Sequence, residues 1–92
     1  MPADVVIYGT TYCAFCVRAK WLLNKKGIAF REVDVSGDAA ARRRLLEVTA
    51  SRQVPQIFIN GRHIGGFDEL AALERTGELD ALLRDGDQRA QS

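Results

Sequence analysis

Two cysteines separated by two residues are the feature that most restricts how this chain can fold. Cys13-Ala14-Phe15-Cys16 follows an apolar run at residues 5–8 and a Gly-Thr-Thr break. A β-branched and aromatic run of this length predicts a short buried strand that leads into a loop. From Phe15 onward, apolar residues recur at helical spacing until Gly27, a residue suited to ending a helix. The pattern therefore places Cys13 at the N-terminus of the first helix.

The middle of the chain alternates strand and helix patterns. Residues 30–35 predict a half-exposed strand, and Asp38 is expected to cap an amphipathic helix over residues 39–49. Residues 56–59 and 62–64 flank Asn60-Gly61, the strongest two-residue hairpin signal. The sequence therefore predicts a β-hairpin after the second helix.

The C-terminal region predicts one more helix. Asp68 is expected to cap it, and its leucine stripe continues beyond Gly77. The whole order is then strand, helix, strand, helix, strand, strand, helix. Because crossovers between parallel strands are right-handed, the first two strands pair in parallel, and the hairpin adds antiparallel pairing. The expected fold class is α/β, with a small mixed sheet flanked by helices.

Length and charge limit the classes of function. A chain of 92 residues forms one domain, expected at residues 1–84, followed by a polar, disordered tail at residues 85–92. Thirteen Lys and Arg against twelve Asp and Glu give a net charge of +1, which argues against nucleic acid and membrane surfaces as partners. The apolar run at residues 5–8 is too short for a signal peptide or a spanning helix. We expect a cytoplasmic location and a monomer.

The cysteine pair predicts thiol-disulfide chemistry. A thiolate is the attacking species in disulfide exchange, and helix N-termini lower a cysteine pKa from about 8.5 to roughly 3.5–7.5. Cys13 is therefore the expected nucleophile and Cys16, about one turn further on, the expected resolving thiol. Two alternatives stay open. The cysteines could be buried and inert. They could also belong to a metal cluster, but one Cys-x-x-Cys pair and the lone His63 do not supply four ligands, so such a cluster would have to form between chains.

Four motifs extend this interpretation. They are Tyr12-Cys13-Ala14-Phe15-Cys16, Arg18-Ala19-Lys20, Val54-Pro55-Gln56-Ile57-Phe58-Ile59 and Ile64-Gly65-Gly66-Phe67-Asp68-Glu69-Leu70. In this order they resemble the glutaredoxins, specifically the small bacterial two-cysteine type within the thioredoxin-like fold, over the chain from Val5 to Leu83. Each motif is a weak signal alone, whereas the four in sequence are a strong one.

The resemblance implies a glutathione-dependent thiol-disulfide oxidoreductase whose partners are glutathione and glutathionylated or disulfide-bonded proteins. Cys13 and Cys16 would be the catalytic residues. Pro55 would be a cis proline facing them, and the backbone of Val54 would pair with the cysteine of glutathione as an added strand does.

The resemblance also implies a set of glutathione-binding residues. At the start of the last helix, the amides of Phe67 and Asp68 would hold the γ-glutamyl carboxylate, with the Asp68 or Glu69 carboxylate near its amino group. The full implied set is Phe15, Gln53, Val54, Pro55, Phe67, Asp68 and Glu69.

The chain departs from the family pattern at several positions. Ala14-Phe15 stands where the family usually has Pro-Tyr, which predicts a more mobile loop and one hydrogen bond fewer to the ligand. Thr10 stands where a lysine is common, which predicts weaker glutathione affinity unless Arg52 compensates. Gln53 replaces a threonine, and Phe67 replaces a frequent cysteine. Neither of these last two changes removes the backbone contacts that the resemblance implies.

Two other functions are compatible with the motifs. One is a homodimer that holds a [2Fe-2S] cluster through Cys13 of each subunit and two glutathiones. Apart from such a cluster, we expect no bound metal. The other is a small redoxin reduced by thioredoxin reductase, although the motif after Ile64 resembles the glutathione-using branch better. Outside the site, Trp21 and Phe58 are expected in the core or at its edge, and His63 is assigned no role.

Overall fold

The computed structural model describes residues 3–11 and 13–89, and the side chains of these residues as far as residue 84. Within them, the strands are β1 (Val5–Gly9), β2 (Arg31–Asp34), β3 (Gln56–Ile59) and β4 (Arg62–Gly65). The helices are α1 (Ala14–Lys25), α2 (Ala39–Thr49), α3 (Phe67–Thr76) and α4 (Glu78–Arg89).

The four strands form one mixed sheet in the order β2-β1-β3-β4. β1 is parallel to β2 and antiparallel to β3, and β3 is antiparallel to β4. The turn between β3 and β4 is Asn60-Gly61, with φ of 53° and 81°, the positive values that a two-residue hairpin turn requires. The predicted α/β fold with a mixed sheet is confirmed.

The core lies between one face of the central strands and helices α1, α3 and α4. Side chains alternate between the two faces of a strand, so β1 and β3 each contribute every second residue to this core. The residues of the core are Val5, Ile7, Ala19, Leu23, Ile57, Ile59, Leu70 and Leu79. Burial of Ala19 and Leu23 fixes α1 against the sheet, and the start of α1 therefore lies beside the end of β1.

The start of α3 corrects one prediction. Its N-cap is Gly66, so Asp68 lies within the first turn and does not cap the helix. Glu69 performs part of the capping instead, since its Oε1 accepts the N–H of Gly66 at 2.7 Å. A Glu at the third helical position can reach back in this way, and an Asp one residue earlier is too short to do so. Asp38 caps α2 as predicted, accepting the N–H of Ala41 at 2.9 Å.

The C-terminal helix is divided in two. Gly77 has a φ of 82°, a left-handed conformation that ends α3, and α4 begins at the next residue. α4 continues to Arg89, so residues 85–89, predicted as tail, are helical, and residues 90–92 lie outside the described residues. The division into a domain of residues 1–84 and a tail stays a prediction. None of the helices described is long and apolar enough to cross a membrane.

The two aromatic residues expected in or near the core behave differently. Phe58 is half-buried and packs edge-to-face on Tyr8, with ring centroids 5.6 Å apart. Trp21 is 61% exposed, so the prediction for it is wrong. The buried face of α1 carries Cys16, Ala19 and Leu23, and helical geometry turns position 21 away from that face.

Candidate active site

The cysteine pair lies at the N-terminus of α1, as predicted. Cys13 is the N-cap, with extended backbone angles of φ −136° and ψ 107°. Its Sγ accepts the N–H of Cys16 at 3.1 Å, and its carbonyl accepts the N–H of Val17 at 3.1 Å. The two cysteines, whose Cα atoms are 5.1 Å apart, are joined as a disulfide. The sulfur of Cys13 therefore occupies the place that a capping oxygen takes in other helices.

The two sulfurs differ in their surroundings. Cys16 is 4% exposed, and its Sγ packs on Gly9 at the end of β1. A Cβ at Gly9 would lie 2.7 Å from that sulfur, so any larger residue would displace it. Cys13 is half-buried, with its Sγ 3.7 Å from the carbonyl oxygen of Val54. Of the two, Cys13 is the one that an incoming sulfur can reach.

A groove of about 330 Å³ lies beside the cysteines, between the start of α1, the turn before β3 and the start of α3. All seven residues of the implied glutathione-binding set line it, and the structure brings them together from three separate segments. The lining residues are Phe15, Gln53, Val54, Pro55, Gly66, Phe67, Asp68 and Glu69. The Val54–Pro55 peptide bond is cis. Phe15, 49% exposed, and Phe67 form one wall, with ring centroids 6.4 Å apart.

The start of α3 forms the far end of this groove. The N–H groups in the first turn of a helix have no partner inside the helix, and the helix dipole makes them attractive to an anion. Gly66 contributes no capping side chain, and the first residues of the helix, Phe67, Asp68 and Glu69, line the groove. A Cβ at Gly66 would lie 3.4 Å from the Pro55 carbonyl oxygen. Sequence reasoning placed Gly66 in a family motif but missed its place in the lining.

Gln56 holds the loop that carries Gln53 and Val54. It is the buried polar residue of the described chain, 3% exposed, and its Nε2 donates to the Gln53 carbonyl at 2.8 Å. Its Oε1 lies 2.6 Å from Nε2 of His63. Because the Gln53 carbonyl can only accept, the amide nitrogen of Gln56 must face it, and the Gln56 Oε1 then faces His63. That oxygen can only accept as well, so Nε2 of His63 carries the hydrogen.

This pairing gives His63 a role that sequence reasoning did not assign. The Phe58 ring lies against the imidazole, with ring centroids 5.2 Å apart, and so restrains the histidine as well. A polar residue in the strand Gln56–Ile59, where its neighbours are apolar, was the available signal for Gln56.

The loop before the cysteines is held by the end of β2. Thr11 donates through its N–H to Ser36 Oγ at 2.8 Å and through its hydroxyl to Asp34 Oδ2 at 3.1 Å. The Ser36 backbone N–H donates to Asp34 Oδ1 at 2.8 Å. The hydrogen bonds that Asp34 accepts from Ser36 and Thr11, that of the Ser36 backbone most of all, hold the pKa of Asp34 below its usual value. Tyr12, between this loop and Cys13, lies outside the described residues.

Two other predicted features lie outside the groove. Arg52 lines a separate depression with Arg42 and Arg43 of α2 and is not among the residues that line the groove. Arg42, Arg43 and Arg44 are exposed. Among the described residues, no group of three or more His, Cys, Asp or Glu side chains is placed to hold a metal ion.

Known proteins share this sequence pattern. The glutaredoxin family model matches residues 5–64. A glutaredoxin of Pseudomonas aeruginosa is 51% identical over 83 residues, which cover 90% of this chain and 98% of that protein. Glutaredoxin 3 of Escherichia coli strain K12 is 46% identical over 82 residues, covering 89% of this chain and 99% of its own.

Solved structures share the fold. A crystal structure of a buckwheat glutaredoxin-glutathione complex superposes with a TM-score of 0.86 at 32% identity, covering 92% of this chain and 80% of that one. The family match, the near full-length relatives and the common fold agree with one another. The chain belongs to the glutaredoxin family, whose members are thiol-disulfide oxidoreductases.

Proposed function

We propose that this protein reduces protein-glutathione mixed disulfides and protein disulfides at the expense of glutathione, with Cys13 as nucleophile and Cys16 as resolving thiol. One observation carries the proposal. The accessible sulfur of Cys13 accepts a helix N-terminal amide at the edge of a groove that ends at a second helix N-terminus. Donors of this kind stabilise a thiolate relative to a thiol.

The groove has the chemistry that a tripeptide with two carboxylates and an amine requires. The backbone of Val54 offers strand-like pairing to the cysteine of glutathione, next to Cys13. The amides of Phe67 and Asp68 suit the γ-glutamyl carboxylate, and the exposed Asp68 carboxylate suits its amino group. The buckwheat glutaredoxin of the same fold was crystallised as a complex with glutathione, which supports this use of the groove.

The first half-reaction is a thiol-disulfide exchange. The Cys13 thiolate attacks the glutathione sulfur of a mixed disulfide, a new sulfur-sulfur bond forms to Cys13, and the protein thiolate leaves and takes up a proton. The leaving protein is thereby reduced, and Cys13 carries the glutathionyl group. The groove holds that group on its sulfur.

The second half-reaction restores Cys13 by one of two routes. A second glutathione thiolate attacks the glutathionyl sulfur and releases oxidised glutathione. Alternatively, the Cys16 thiolate attacks Cys13 Sγ and releases glutathione, which gives the Cys13–Cys16 disulfide of the structure. Two glutathiones then reduce that disulfide. Reduction of a protein disulfide needs Cys16. Attack by Cys13 leaves the substrate protein joined to Cys13 through a mixed disulfide, and the Cys16 thiolate then attacks Cys13 Sγ, breaks that bond and releases the reduced protein.

The test compares two cysteine variants. Cys16→Ser should retain removal of glutathione from a glutathionylated protein, whereas Cys13→Ser should abolish it. After treatment with oxidised glutathione, intact-mass analysis of Cys16→Ser should show one glutathionyl group on Cys13. Equal loss of activity in both variants would contradict the assigned roles.

The reductant that supports turnover and the visible absorbance of the protein distinguish the proposed function from its two alternatives. Coupling to glutathione reductase should support turnover, and coupling to thioredoxin reductase alone should not. An absorbing, dimeric protein after purification without oxygen would instead support a [2Fe-2S] cluster held between two Cys13 residues. Dependence on a reduced glutathione pool also makes the cytoplasm the proposed location.

A further inference from the structure

Helix α1 exposes several large apolar side chains to solvent. The described residues include five exposed large apolar side chains, and three of them, Phe15, Val17 and Trp21, lie on this helix. Val17 is 60% exposed and Trp21 is 61% exposed, and a separation of four residues places them side by side. Adjacent apolar residues leading away from a reactive group indicate a surface that another molecule covers.

The exposed surface of α1 is also cationic. α1 contains three basic residues and no acidic one. Within the described residues, no carboxylate pairs with Arg18 or Lys25. These cations lie over the rings of Phe15 and Trp21, at 5.4 and 5.1 Å from the centroids. Aromatic residues and arginine are also the types that dominate binding energy at protein interfaces. We call Val17, Arg18, Trp21 and Lys25 the α1 patch.

Val17 and Trp21 of the α1 patch lie on a different flank of Cys13 from the groove, and Arg18, whose guanidinium lies over the Phe15 ring, stands between the two. Phe15 lines the groove on the side of α1 that faces α3. At 100° per residue, Val17 points about half a turn away from Phe15. A mixed disulfide has two halves. When glutathione fills the groove, the protein half must extend from Cys13 on another side.

We propose that the α1 patch binds the protein half of the substrate, and that it selects segments that combine acidic residues with a large apolar side chain. The proposal rests on the proposed function, since it names the protein substrate of that reaction. Trp21 lies eight residues beyond Cys13, about 12 Å along the helix at 1.5 Å per residue. About four extended residues span that distance, so the selected segment lies about four residues from the reactive cysteine.

The first experiment measures selectivity. Two glutathionylated peptides carry either Asp-Asp-Leu or Lys-Lys-Leu four residues from their cysteine, and a third carries Asp-Asp-Leu directly beside it. We expect kcat/KM for the first peptide to exceed that for each of the others by about fivefold to thirtyfold. Trp21→Ala and Arg18→Glu should reduce this ratio toward one. Val48→Ala, a matched change at a 68% exposed residue of α2, should leave the ratio unchanged.

The second experiment measures binding directly and does not depend on a variant. Trp21 is the single tryptophan of the chain, so its fluorescence reports the α1 patch alone. The Asp-Asp-Leu peptide with serine in place of its cysteine should shift the emission to shorter wavelength, as burial of an exposed indole does. The Lys-Lys-Leu peptide should produce no shift. Added salt should weaken the effect.

The outcomes separate this proposal from the proposed function. Equal turnover of all peptides by the wild-type protein, or an unchanged ratio in Trp21→Ala, would overturn the docking surface while leaving the reaction intact. Failure to turn over any glutathionylated peptide would overturn the reaction itself. A fluorescence shift with vesicles of phosphatidylglycerol but not with the acidic peptide would replace the protein substrate with a membrane surface.

Discussion

Two helix N-termini face the same groove, and they are completed in different ways. At α1 the Sγ of Cys13 accepts the N–H of Cys16 at 3.1 Å, so the acceptor is part of the chain. At α3 the N-cap is Gly66, which has no side chain to accept a hydrogen bond, and Glu69 takes up only the N–H of Gly66 itself. The partial positive charge of a helix N-terminus therefore meets a sulfur of the chain itself at α1, whereas at α3 it remains available to a bound carboxylate.

The side-chain packing is also tighter around the start of α1 than around the start of α3. At α1, Gly9 leaves room for the sulfur of Cys16 and for nothing more. At α3, a Cβ on Gly66 would approach Pro55 and Glu69 at ordinary contact distances of 3.4 and 3.5 Å. We therefore expect substitution at the α1 end to change stability and substitution at the α3 end to change ligand affinity. Four predictions test this difference.

The largest effect is expected at Gly9. Gly9→Ala places a Cβ against the Cys16 sulfur and should lower the free energy of unfolding by about 1–3 kcal/mol, as overpacking of a core does. Denaturant titration of the reduced protein measures the change. Cys16→Ala in the same chain should recover part of the loss, because it removes the atom that clashes. Additive losses in the double variant would contradict the packing argument.

Gly66→Asp should give α3 an N-cap side chain that accepts a hydrogen bond, as Cys13 does at α1. The added carboxylate would occupy the N-terminus of the helix and compete with the carboxylate of glutathione. We expect glutathione affinity to fall about tenfold, or about 1.4 kcal/mol, with the melting temperature nearly unchanged. Calorimetric titration measures the affinity, and Gly66→Ala is the control for bulk without charge. Equal losses in the two variants would show that space, and not charge, limits binding.

Gln56 tests whether the loop between the two ends needs a fixed position. Gln56→Glu keeps the size of the side chain but removes the donor to the Gln53 carbonyl. An unpaired carbonyl costs about 1 kcal/mol or more, so we expect KM for glutathione to rise about fivefold. Turnover at saturating glutathione should change little. His63→Ala, which leaves the bond to Gln53 in place, should have a smaller effect on KM.

The smallest effect concerns pH. The pKa of Asp34 is lower in the folded protein than its usual 3.8, so its ionised form contributes stability above about pH 3.8. That contribution is lost as the pH falls through the folded-state pKa. Asp34→Asn should therefore reduce the slope of stability against pH in this acidic range, as measured by denaturant titration at several pH values. An unchanged slope would show that its bonds to Ser36 and Thr11 do not favour the carboxylate.

Local patterns were sufficient for most of the secondary structure. The Cys13 N-cap, the hairpin turn Asn60-Gly61 and the Asp38 cap depend on neighbours within a few residues, and each lies where it was predicted. The predicted cap at Asp68 was wrong. Two acidic residues lie near the start of α3, and only the backbone geometry, with Gly66 as N-cap, shows that Glu69 is the one that accepts the capping hydrogen bond. The prediction for Trp21 was wrong because it took a position in a periodic helix as a sign of burial, whereas residue 21 lies off the face that carries Ala19 and Leu23.

The sequence by itself determined the cysteine pair and its position at the start of a helix, because both depend on residues close together in the chain. The proposed glutathione-binding residues followed from the family motifs rather than from physical reasoning, and their assembly into one groove is a result of the fold. Only the tertiary structure decided that Gly9 packs on Cys16, that Gln56 holds Gln53, and that the α1 patch is exposed. These contacts join segments distant in the chain, and their energies depend on distances that no local pattern specifies.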